Sequence, residues 1–158
     1  MNRIKAAEFQ AEKRYERPGE VQTLFTQLMF NYNPRFKCLD TPEKEAFETF
    51  FFMERSYDAG GPMRDTICSI CNELMSEVLP LLRPTANNLA NLEPGTDCYQ
   101  INECTKQVHN LHKFSFLGYL LGWAFYSIGS LNLDLPGAFW ARLAGGRDYV
   151  YTVDDLSS

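Results

Sequence analysis

The stretch from Phe114 to Trp140, FSFLGYLLGWAFYSIGSLNLDLPGAFW, decides the fold. From Phe114 to Asn132 it carries no charged residue, so it is either a central core helix or a membrane segment. Gly129, in Ser127-Ile128-Gly129-Ser130, supplies a stop after about 15 residues, roughly 22 Å of helix. That falls short of the roughly 20 apolar residues a bilayer demands, and Ser115, Tyr119, Tyr126 and Ser127 dilute the run further. Gly118 and Gly122, four apart, suit a membrane helix pair or the close approach of another backbone in a protein interior. The core helix is the reading that follows, with both glycines walled in by neighbouring helices.

Working outward, 158 residues suit one domain, and 45% hydrophobic with 14% aromatic residues suffice to build a core. A net charge of −5 argues against a nucleic-acid partner, because binding phosphates requires clustered Lys and Arg. The densest basic patch, Lys13-Arg14 with Arg17, is interleaved with Glu12 and Glu16 and reads as a solvated helix face. The start, Met1 to Glu8, turns polar too soon for a signal peptide. Five cysteines at uneven spacing do not form a secreted disulfide framework, so a reducing, cytoplasmic setting is expected.

Taken in order, residues 3 to 17 read as a weakly amphipathic helix with Ile4, Ala7, Ala11 and Tyr15 on one face, broken at Pro18-Gly19. A second helix from Glu20 shows Val21, Leu24, Phe25, Leu28 and Met29, ending between Asn31 and Pro34. Asp40 to Glu45 opens a short turn or helix, and Phe47 to Met53 is a strand candidate. Gly60-Gly61-Pro62 turns the chain into a helix running to about Val78, with Ile67, Ile70, Cys71, Leu74, Met75 and Val78 on its apolar face. Leu79 to Pro84 and Asp97 to Ile101 are strand candidates for a small hairpin around a polar loop, Ala86 to Gly95. Val108 begins the central helix, and Pro136 starts a last one carrying Phe139, Trp140 and Leu143 and ended by Gly145-Gly146. Thr152 to Leu156 looks like a capped helix start, an expectation that the chain is part of something longer.

Chemistry is sparse. Cys68-x-x-Cys71 with Cys98, Cys104, His109 and His112 contains zinc-ligand types, yet the pair lies within a helix and the later residues are irregularly spaced, which favours buried thiols over a metal site. His109 and His112 have no nucleophile elbow to serve and read as capping or core-edge residues. Asp58, Glu73, Asp97 and Asp134 show no pairing that suggests general acid and base work. Gly60-Gly61 alone does not make a phosphate loop, and no cofactor is expected.

The ordered motifs nevertheless resemble a known family. They are the Phe-rich strand; Asp58-Ala59-Gly60-Gly61-Pro62-Met63-Arg64-Asp65; Leu79 to Asn88; Phe114 to Ala124; and Leu131 to Pro136 with Phe139, Trp140 and Leu143. Together they are similar to the first portion of the N-lobe of HECT-type E3 ubiquitin ligases, in particular the large HERC-like members. The resemblance covers residues 20 to 158, a partial N-lobe preceded by an N-terminal helical extension, residues 1 to 19. It implies a mainly α fold with small β-hairpins (α+β). It also implies a scaffold role in a transfer that passes ubiquitin from an E2 to a C-lobe cysteine and then to a substrate lysine. Implied partners are other protein chains or the remainder of such a ligase, with E2 and ubiquitin in a complete enzyme, and neither nucleic acid nor membrane.

Several features depart from the family pattern. The sequence stops before an E2-docking subdomain or C-lobe, and none of Cys38, Cys68, Cys71, Cys98 or Cys104 matches the catalytic position, so the resemblance assigns no catalytic, cofactor or metal residue. Some members hold ubiquitin near the hairpin after the first long helix. Here that stretch is Leu82-Arg83-Pro84-Thr85, and its proline counts against such a site. Gly60-Gly61 and Arg64 read as fold residues, with Arg64 pairing Asp58 or Asp65. The alternative reading is a non-catalytic interaction module that keeps this fold and binds a partner through an incompletely covered apolar surface.

Overall fold

The computed structural model describes residues 1–12, 15–17, 19–31, 61–93, 95–105, 108–127, 131–146 and 150. The expected turn at Asp40, the strand at Phe47, the helix start at Thr152, and Cys38, Asp58 and Gly60 lie outside them. Helix α1 (Arg3–Ala11) is capped by Asn2, whose side chain accepts the Lys5 amide at 2.9 Å. It ends well before the expected residue 17, and it buries Ala6 and Phe9 rather than the face through Ile4. The reason lies just beyond it: the Glu16 amide donates to the Val78 carbonyl at 3.0 Å, which draws the chain out of the helix and into the core.

Helix α2 (Leu24–Asn31) starts after Thr23, not at Glu20, because the Thr23 hydroxyl accepts the Thr26 amide at 3.2 Å as an N-cap. Helix α3 (Gly61–Leu74) starts at its glycine with Pro62 in the first turn, where a missing N–H is harmless. It stops short of Val78. The Ser76 hydroxyl and amide both reach the Glu73 carbonyl, at 2.7 and 3.1 Å, and tighten the last turn. Ile67, Ile70, Cys71, Leu74 and Val78 are buried as their spacing predicts, Met75 only partly.

Strands β1 (Leu82–Pro84) and β2 (Tyr99–Ile101) pair antiparallel, Leu82 opposite Ile101 and Pro84 opposite Tyr99. Among the described residues the sheet has these two strands, each an edge, so Pro84 is tolerated. The expected polar loop between them holds a short helix, α4 (Ala86–Ala90), capped by Thr85 and closed by Asn91 in the left-handed region at φ 53°. The Tyr99 amide donates to the Asp134 carbonyl at 2.8 Å, tying the hairpin to the entry of the last helix.

Helix α5 (Val108–Ser127) is 20 residues, about 30 Å long, and so longer than the uncharged run suggests. Among the described residues no helix is long and apolar enough to cross a membrane. Its buried stripe is Lys113, Phe116, Leu117, Leu120, Trp123 and Ala124. Phe116 packs edge-on against Phe25 of α2, ring centroids 5.2 Å apart, in a core that also holds Leu74, Leu79 and Leu81. Met63, Ile67, Cys71, Trp123 and Ala124 form a second cluster between α3 and α5. Helix α6 (Gly137–Gly145) follows Pro136 and ends at Gly146, φ 72°, as the sequence predicts, and contributes the half-buried Phe139 to the core.

The two α5 glycines correct the sequence reading. Gly118 is exposed, Gly122 is half-buried, and a Cβ added at either meets nothing within 4 Å. Their side of α5, with Leu111, Ser115 and Phe125, is open rather than walled in. Gly118→Ala is therefore expected to stabilise the protein by about 0.5–1 kcal/mol through helix propensity. A higher urea midpoint at unchanged slope measures it; a loss of stability would restore the close-approach reading.

Candidate functional site

The first turn of α2 presents amide groups that need acceptors, and two carboxylates reach them. Glu73 of α3 accepts from the Leu24 amide through Oε1 at 2.7 Å and from the Phe25 amide through Oε2 at 2.9 Å. Glu16 lies one layer back. Its Oε1 accepts from the Gln22 and Thr23 amides at 2.8 and 3.0 Å and from the Thr26 hydroxyl at 2.6 Å. Its Oε2 receives the Lys113 ammonium of α5 at 3.0 Å, the pair having side chains only 0% and 9% exposed. Such a pair is held in the interior because donors saturate the carboxylate and the lysine matches its charge.

Among the described residues no cation pairs with Glu73. Its pKa is raised to about 7, first by burial, against the pull of the Leu24 and Phe25 amides, and further by the charge of Glu16. Beside it runs a groove of about 350 Å³ between α1 and α3, lined by Arg3, Ala7, Gln10, Leu24, Asn72 and Glu73. Arg3 bridges to the exposed Asp65 at 3.2 Å on this side, and the Asn2 amide donates to Gln27 Oε1 at 2.7 Å, which seats α1 over α2.

This arrangement corrects one expectation, since Glu16 is not on a solvated face, and it places Glu73 in the interior beside it. The signal was available for Glu73, an acid set within the apolar stripe Ile70, Cys71 and Leu74. It was available also for Lys113, three and four residues before the stripe positions Phe116 and Leu117. Nothing local in Tyr15-Glu16-Arg17 marks the glutamate as buried.

The residues singled out by type stay apart. Cys68 and Cys104 are exposed, while Cys71 and Cys98 are buried. Burial pushes the Cys71 thiol up to about 11 and also raises that of Cys98, leaving little thiolate near neutral pH. Among the described residues no three His, Cys, Asp or Glu side chains converge as a metal site would require. His112 is exposed on α5, as are Asp97 and Asp134 at the hairpin end, and Arg64 is exposed while its neighbour Asp65 is taken by Arg3. In Leu82-Arg83-Pro84-Thr85, Leu82 is buried, Arg83 is exposed, and Thr85 is committed to capping α4.

Comparison with known proteins finds curated relatives of this chain. The chain is 31% identical over 160 residues to mouse E3 ubiquitin-protein ligase HERC2 and 29% identical to the human protein of the same name, in each case across 99% of this chain. It spans about 3% of the length of these relatives. No family model matches, and no solved structure does.

Replacing Lys113 by Met should leave Glu16 charged and uncompensated in the interior, a loss of about 3–5 kcal/mol. Urea unfolding measures it, and adding Glu16→Gln should recover part of the loss. Additive single losses would show that the two side chains do not interact.

Proposed function

We propose that this chain is a scaffold portion of a HECT-type E3 ubiquitin ligase, part of the large subdomain of the N-lobe, residues 20–158, preceded by a helical extension, residues 1–19. Identity to HERC2 along 99% of the chain is the observation that carries the ligase relation. The ordered motifs carry the assignment to the N-lobe, and among the described residues a mainly helical fold with one two-stranded sheet is in keeping with it. In this reading the reactive thiol and the E2-docking surface belong to other parts of a ligase, and the chain works inside the cell as a platform. None of its cysteines acts as the acyl carrier. Raised thiol pKa values at Cys71 and Cys98 support that assignment, because thiolate is the nucleophile in ubiquitin transfer.

A second reading, a non-catalytic module that binds a protein partner, is favoured by the apolar side chains left uncovered. Leu111 and Phe125 on α5 are 55% and 77% exposed, and Trp140 and Leu143 on α6 are 45% and 63% exposed. The two readings share the fold and differ in whether the partner is the rest of a ligase.

Incubation with E1, a panel of E2 enzymes, ATP and labelled ubiquitin should give no adduct on this chain that a thiol reductant removes. An adduct lost on reduction, and absent after Cys68→Ser or Cys104→Ser, would overturn the scaffold assignment by revealing an acyl-carrying cysteine.

A further inference from the structure

We draw no further inference here: the strongest candidate, the groove of about 350 Å³ between α1 and α3 beside Glu73, carries nothing, because Glu73 is only 1% exposed with both carboxyl oxygens taken by the Leu24 and Phe25 amides, and nothing in the structure shows what covers the groove.

Discussion

The contact between Glu16 and Lys113 sets the geometry on which the rest of this structure depends. It joins residues 97 positions apart, and it pins an irregular segment between two helices to the middle of the core. Hydrophobic burial is non-directional, so Phe25 against Phe116 could tolerate many rotations of α2. The carboxylate cannot: it must meet the lysine on one oxygen and the amides and hydroxyls of residues 22, 23 and 26 on the other. Those bonds determine where α2 begins. That beginning in turn aims the Leu24 and Phe25 amides at Glu73 of α3, so that three elements close around one helix terminus.

Such a node is costly to build and specific once built. Removing two charges from water costs several kcal/mol per ion, and only saturation of the donors and acceptors offsets it. The network comes close to that for Glu16 and, among the described residues, gives Glu73 the Leu24 and Phe25 amides, while burial pushes its carboxyl up to about 7.

Where a signal was local, the sequence was sufficient to read the element. Pro62 and Pro136 marked helix starts, Gly146 marked an end, and the period of Ile67, Ile70, Cys71 and Leu74 gave the buried face of α3. Where the outcome depended on a distant partner, local reading failed. Lys13, Arg14 and Arg17 around Glu16 looked like a solvated helix because charge alternation is the usual mark of one, yet Lys113 lies far along the chain. The loop from Ala86 to Gly95 looked polar because α4 buries no side chain, so no apolar period exists to reveal it; Thr85 and Asn91 were the available cues. Gly118 and Gly122 were read as packing residues on spacing alone, and spacing does not say whether a neighbour is present. The candidate site was less legible than the fold, because its members were recognisable only as charges out of place in apolar stripes.

The interior and the surface of this chain are in different states of completion. Inside, Glu16 is saturated by named donors and Lys113 has its carboxylate. Outside, α6 has no buried side chain, and the open side of α5 joins Leu111 to Phe125 through Ser115 and Gly118. A polar network of this quality constrains only the part of the fold it touches, so it accounts for the order of α2, α3 and α5 around Glu16 and says nothing of α6. Helix α6 is held through its N-terminal end, by Leu135, the half-buried Phe139 and the Asp134 carbonyl bonded to Tyr99, and its Trp140 and Leu143 stay exposed. Trp140 and Leu143 stand in water at 45% and 63% exposure, apolar surface that no part of the Glu16 network reaches, and this is the observation on which the interaction-module reading rests.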